Sequence, residues 1–354
     1  MNIKQATRDY EAFLRASVAV VEADLDLKHQ QMAASLFAFL RSTFYRWSAL
    51  FREICPDLAA GPQLLAVGDL HVENFGTWRD GEGRLIWGVN DFDEAQVMPY
   101  AIDLVRLATS ALLAVADAKL PLSPDDISDA ILSGYQTHLD KGGRPFVLEE
   151  EHGWLRVLAT GALRDPVAFQ AKMNKLPDAN PPKDVAKLLK HYLPKESQLH
   201  RFAARTAGLG SLGRPRYVAL AELEGGAVIR EAKTMLTSAW SWSLGDGKAD
   251  PECKHIVNRA VRCADPCLAY DSGWVIRRLG PHCSRIEMAD LPDRKDEAKL
   301  LKAMGAEIAN IHLGDPDQIH AIKQDMASRK PHWLRNAAQA MLAATEKDWK
   351  EWRA

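Results

Sequence analysis

"VGDLHVENFG", residues 67–76, packs Asp69, His71, Glu73 and Asn74 between two apolar stretches. Polar side chains of this kind crowd the end of a strand when they bind something. "PQLLAVGDL" (62–70) reads as a short buried strand and "RLIWGVNDFD" (84–93) as a second, with turn residues "DGEG" (80–83) between them. Asp69 and Asn74, spaced D-x-x-x-x-N, therefore follow one strand, and the cluster "NDFDEA" (90–95), with Asp91 and Asp93, follows the next. A hairpin-sized connection lets the two clusters sit side by side. Phosphoryl transfer from a nucleotide needs this inventory: one carboxylate to orient or deprotonate an acceptor hydroxyl, and an asparagine and an aspartate to hold Mg²⁺. Mg²⁺ prefers oxygen ligands and takes few of them from protein, which suits Asn74 and Asp91, with Asp93 supporting Asp91 or holding a second metal. His71 is expected to shape the loop rather than act as a base, because a carboxylate is already at hand. Glu73 is read as facing solvent or substrate, and Glu94 as a surface residue.

Outward from this stretch, residues 1–57 read as helices, with apolar positions recurring at three and four in "YEAFLRASVAVVEADL" and "MAASLFAFLRSTFYRWSALF". "PYAIDLVRLATSALLAVADA" predicts a buried helix, and helices are expected to continue to about residue 200, lining an acceptor pocket over 120–200. At residue 206 the texture changes. "TAGLGSLGRPRYVALAELEGGAVIREAKTML" alternates and carries glycine turns, which predicts two or three antiparallel strands. "PECKHIVNRAVRCADPCLAY" predicts a helix over 252–264, "GWVIRRLG" a strand, and the chain from about 293 helices again. The expected plan is α+β. It has a helical catalytic lobe (1–205), a β-rich nucleotide-binding lobe (206–282), and C-terminal helices (283–354) packing on the first.

Gly208, Gly210 and Gly213 spell G-x-G-x-x-G in "GLGSLG", a weak signal alone. A dinucleotide fold would put a strand before it and a helix after it. Here strands follow, with basic residues Arg230 and Lys233 beyond, which describes a loop covering phosphates. Gly208, Gly210, Ser211 and Gly213 are the candidate phosphate-covering residues, and Arg230 or Lys233 the charge that neutralises them. The competing reading is an ordinary hairpin turn.

The totals narrow the classes. With 354 residues, 47% hydrophobic and 26% charged, the chain exceeds one typical core and has an ordinary soluble composition. A formal net charge of -2 argues against a general nucleic-acid or membrane-surface binder. The N-terminus lacks the apolar core of a signal peptide, and no apolar run is long enough for a bilayer. Five cysteines (55, 253, 263, 267, 283) form an odd set, so reduced thiols and a cytoplasmic location are expected. Cys253, His255, Cys263, Cys267, His282 and Cys283 suggest zinc, but lack the paired spacing of structural sites.

"GDLHVENF" followed by "VNDFDEA" resembles the catalytic loop and metal-binding aspartate of the protein-kinase-like superfamily. It is most similar to the aminoglycoside and choline phosphotransferase branch, whose pattern is H-G-D-x-x-x-x-N and then I-D-F/W. "YAIDLVRLA" resembles the element that follows there, which makes Asp103 the brace of the loop. More narrowly, "FAFLRSTFYRW", "GDLHVENFG", "NDFDEA", "IDLVRLATS", "GLGSLGRPRY", "REA" and "GWVIRRL" resemble the bacterial domain of unknown function 2252, over most of the chain. Val67 stands where the phosphotransferase pattern has a scaffold histidine, which leaves the chemistry intact. Relatives carry "KEA" on the third strand and this chain "REA", so Arg230 takes the lysine's position, and Lys233 would substitute through a bulge. The glutamate that pairs with the lysine falls at Asn258. One of Arg277 and Arg278, at the hinge between lobes, should face the cleft.

In ordinary kinases the nucleotide lobe precedes the catalytic loop; here it follows by about 140 residues, so the resemblance implies a circularly permuted two-lobe fold. It implies an ATP- and Mg²⁺-dependent phosphotransferase with a small hydroxylated acceptor, Asp69 as base, and Asn74 and Asp91 as metal ligands. Nucleotidyl transfer could use the same site. Two alternatives stay open: a nucleotide-binding pseudokinase without turnover, and a metallophosphoesterase, whose opening "GDLH" also resembles.

Overall fold

The computed structural model describes residues 1–160, 165–281, 283 and 296–354. It is a mixed α+β architecture with three antiparallel sheets. Strand β1 (Gln63–Ala66) leads into the 67–76 stretch, and β2 (Phe75–Arg79), β3 (Leu85–Val89) and β4 (Gln96–Pro99) follow. The "DGEG" turn joins β2 to β3, while β1 pairs with β4 rather than with the strand after the turn. Strand β2 was not expected, since its apolar and glycine residues are continuous with the polar loop. Asp80 closes the turn by accepting from the backbone N–H of Glu82 and Arg84. A short β5 (Phe146–Val147) completes the second sheet.

The largest sheet runs β6–β7–β8–β10–β9, from β6 (Gln198–Ala204), β7 (Arg216–Leu223), β8 (Gly226–Thr234), β9 (Ala269–Asp271) and β10 (Trp274–Arg278). It starts at Gln198, before the texture change at 206, because β6 is charged and reads poorly as a strand. Its back face is covered by the Lys183–Tyr192 helix, whose Val185 and Leu189 pack on Ala219, Ala232 and Ile276. The helix expected over 252–264 is shorter, Cys253–Arg259. Helices between 120 and 200 occupy Pro124–Lys141, Gly153–Thr160, Pro166–Asn174 and Lys183–Tyr192.

One large core joins the N-terminal helices, β1–β4, the Ala101–Asp117 helix and the C-terminal helices Glu297–His312 and Trp333–Arg353. Pro124–Lys141 and Glu297–His312 cross closely through Gly134 and Gly305, where a Cβ would run into the Lys302 and Ile131 carbonyls of the opposing helix. That closeness fixes Glu307 of the second helix beneath Gly88 of β3, where it accepts from Val89 N at 3.2 Å and Asn310 Nδ2 at 3.0 Å. Burial pushes the Glu307 carboxyl from its ordinary 4.5 up to about 7, against the opposing pull of Arg262. The unfolded chain therefore loses this proton first as pH rises, and stability falls between the two values. The deficit of a Glu307→Gln variant relative to wild type, measured by urea unfolding, should shrink between pH 4.5 and pH 8 by on the order of 3 kcal/mol. A deficit independent of pH would sink this.

Among the described residues no helix is long and apolar enough to cross a membrane. All five cysteine thiols are free.

Candidate functional site

The Ala101–Asp117 helix holds the 67–72 loop along one stripe. Asp103 accepts from the backbone N–H of Val67 and Gly68, both at 2.8 Å. One turn on, Arg106 donates to Asp69 Oδ1 from Nη2 at 2.6 Å and Nε at 3.0 Å. A further turn on, Ser110 accepts from Val72 N at 3.0 Å. Positions i, i+3 and i+7 share a helix face, so three side chains track the loop residue by residue. Gly68 sits at φ +88°, and a Cβ there would meet the Glu94 carbonyl and Met98, so the turn into Asp69 requires glycine.

The β2–β3 register does the rest. Phe75 opposes Val89, so Asn74 and Asp91 emerge side by side at the open end of the hairpin. Asn74 Oδ1 accepts from Asp91 N at 2.9 Å, and its Nδ2 donates to the Asp91 carbonyl at 3.0 Å and the Asp69 carbonyl at 3.3 Å. Its side chain stitches the two acidic loops together. His71 closes its own turn by accepting from Glu73 N at 3.2 Å, and Glu73 pairs with Arg41.

Lys233 and Arg230 lie on opposite faces of β8. Lys233 is buried and reaches Asp91 at 3.0 Å and Asp93 at 2.6 Å. No bulge is needed, since β8 pairs with β7 and β10 without a register shift. Arg230 lies under the Lys183–Tyr192 helix and donates to the Tyr192 carbonyl at 3.1 Å, away from the acidic loops. Nor does Asn258 pair with it; Asn258 is exposed. The carboxylate on this strand is Glu231, fully buried and ion-paired to Arg205, Arg216 and Arg277. Arg277 thus faces the acidic loops, while Arg278 donates to Cys267 Sγ at 2.7 Å.

The glycine loop lies against the 67–76 stretch. A Cβ on Gly210 would stand 3.5 Å from Asp69 Oδ2 and 3.0 Å from the Arg41 carbonyl. Gly208 and Gly213 have φ of +74° and +93°. Ser211 accepts from Arg216, which anchors the loop to the sheet.

These parts enclose a cleft of about 300 Å³, at the small end of ligand pockets. Its wall near Asp69 comes from Tyr10, Ser42, Phe44 and Tyr45. Among the described residues none from 120–200 lines it, so the N-terminal helices take the place expected of that segment. Glu94, expected at the surface, is half-buried beside Arg214 at 3.3 Å and accepts from Ala239 N at 2.5 Å. Burial raises its carboxyl to about 7. Burial also raises Asp69, with Arg106 opposing. For Asp91 enclosure is overcome by the Lys233 ammonium, which holds it well below the ordinary carboxylate range; burial and then the Asp91 charge raise its neighbour Asp93.

Sequence reasoning missed Arg106, Arg214 and, of the arginines around Glu231, Arg205 and Arg216. Arg106 carried a signal: it follows Asp103 by one helical turn in "IDLVRLATS". Among the described residues the cysteine and histidine set does not converge. His255 pairs with Glu252, Cys253 is buried, and His282 lies outside the described residues. Among the described residues no group of three His, Cys, Asp or Glu side chains is placed to hold a metal.

The profile of a bacterial family described as "Uncharacterized protein conserved in bacteria (DUF2252)" matches residues 20–160 and 167–354. The chain belongs to that family. No curated protein and no solved structure matches it.

Proposed function

We propose that this member of the DUF2252 family is an ATP- and Mg²⁺-dependent phosphotransferase of protein-kinase-like fold, circularly permuted, acting on a small hydroxylated acceptor. The observation that carries the reading is convergence. A glycine loop from 208–213 lines one cleft with Asp69, Asn74 and Asp91, and Lys233 reaches Asp91 from the sheet behind, although the chain order is reversed from that of a kinase. The donor set fits Mg²⁺: Asn74, Asp91 and Asp93 offer only oxygen, and the ammonium of Lys233 already lies between the two aspartates. Mg²⁺ held there would neutralise phosphate charge. Lys233 would then turn to the phosphates, and the glycine loop would let backbone approach them. Arg106 occupies Oδ1 of Asp69 and leaves Oδ2 toward the cleft, where it would take the acceptor's proton.

A second reading, nucleotide binding without turnover, is favoured by the same Arg106 pair, since two hydrogen bonds to one oxygen weaken Asp69 as a base. A metallophosphoesterase would need further histidine ligands around two metals, and the described residues bring none together there.

The experiment is binding of a non-hydrolysable ATP analogue with and without Mg²⁺, by calorimetry, on wild type and Asp91→Ala. Binding that needs Mg²⁺ and weakens at least about tenfold in Asp91→Ala is expected. No binding at millimolar analogue, or binding indifferent to both, would overturn the proposal.

A further inference from the structure

We infer that the front face of the five-stranded sheet binds a chain of phosphate groups through Arg205, Arg216 and Arg277, with no base beneath the sheet. The inference rests on the proposed function only for the use to which the phosphates are put. Arg216 opposes Lys233 and Arg277 opposes Glu231 in register, and Arg205 neighbours Arg216 through its backbone, so these side chains share one face. All three arginines line the cleft.

Their charge is not matched. Glu231 is one carboxylate, paired with Arg216 at 3.1 Å, Arg277 at 2.8 Å, and Arg205. The nearby carboxylates Asp91, Asp93 and Glu94 share Lys233 and Arg214 between them, so the whole group still carries a positive excess. Holding three guanidiniums half out of water on one carboxylate is costly unless an anion completes the set. Arg216 is 5% exposed and its Nε has no hydrogen-bond partner among the described residues. The planar forks match phosphate oxygens two at a time.

The strands of this sheet also offer a base no apolar side chain in the cleft, where they present Arg216, Arg277 and Arg278. The apolar half of the face, Val218, Leu220, Ile229 and Ala203, is covered by Phe169 and Met173 of the Pro166–Asn174 helix. Only the charged half is left to the cleft. A planar base needs an apolar surface; a phosphate chain needs this one.

The test is calorimetric binding of inorganic tripolyphosphate, orthophosphate and adenosine to the full chain without Mg²⁺. Tripolyphosphate should bind, orthophosphate more weakly and adenosine not at all. Arg205→Gln and Arg277→Gln, at partly exposed side chains (19% and 24%), should each weaken tripolyphosphate about tenfold at unchanged melting temperature. If ATP binds no more tightly than tripolyphosphate, the chain alone is recognised and inorganic polyphosphate is the source; if more tightly, a nucleoside triphosphate is. Silence toward tripolyphosphate, or indifference to both substitutions, overturns the inference even where the Mg²⁺-dependent analogue binds. Tripolyphosphate binding without analogue binding upholds this site and removes the proposed function instead.

Discussion

Replacing Asp69 by Asn should slow phosphoryl transfer about a thousandfold while leaving Mg²⁺-dependent binding of the ATP analogue intact. ATP hydrolysis, with water as acceptor, is the readout available before an acceptor is known. Asn keeps the volume of Asp69 and an oxygen for Arg106, but gives up the carboxylate oxygen beside the glycine loop. Because burial raises the Asp69 carboxyl, the wild-type rate should climb with pH as that group ionises, and this limb should vanish in the variant. Arg106 is wholly buried against Trp47 and Phe44 and would lose its ionised partner, so a lower melting temperature should accompany the loss. Analogue binding separates the two effects, since an unfolded protein binds nothing. A variant that hydrolyses ATP as fast as wild type would leave the pseudokinase reading in possession of the site.

The two acidic loops were legible because their constraints are local. D-x-x-x-x-N, "NDFDEA" and the turn between them lie within 27 residues, and the resemblance of "YAIDLVRLA" to the phosphotransferase pattern singled out Asp103. What escaped depends on pairings between distant segments. Alternation says that Arg230 and Lys233 take opposite sides of a strand, but not which side the Lys183–Tyr192 helix will cover. Arg216 and Arg277 come from two strands and Arg205 from the residue after a third, and only the sheet register brings them to one glutamate. Tyr10 and Tyr45 reached the cleft from helices whose apolar spacing said only that they were buried. The mixed α+β class could be read; the partners across the cleft could not.

Asp103→Asn should cost about 4 kcal/mol of stability. The carboxylate is fully buried and only accepts: Oδ1 takes Gly68 N, and Oδ2 takes Val67 N and His312 Nε2, the last at 3.1 Å. His312 is fixed from its other side, where Tyr135 Oη lies 2.8 Å from Nδ1. With Nε2 donating to the carboxylate, Nδ1 is left to accept from the tyrosine hydroxyl. An asparagine has one accepting atom for these three donors, and in either amide orientation its NH₂ confronts a backbone or imidazole N–H. The cost is therefore one of unsatisfied donors, not of volume, and Asp103→Asn should be little better than Asp103→Ala. Urea unfolding of both variants measures it; a loss below about 1 kcal/mol would mean that water replaces the brace. Since the same bonds set the turn at Gly68 from which Asp69 projects, the folded fraction of Asp103→Asn should also hydrolyse ATP more slowly than wild type. A brace that served stability alone would leave that rate unchanged.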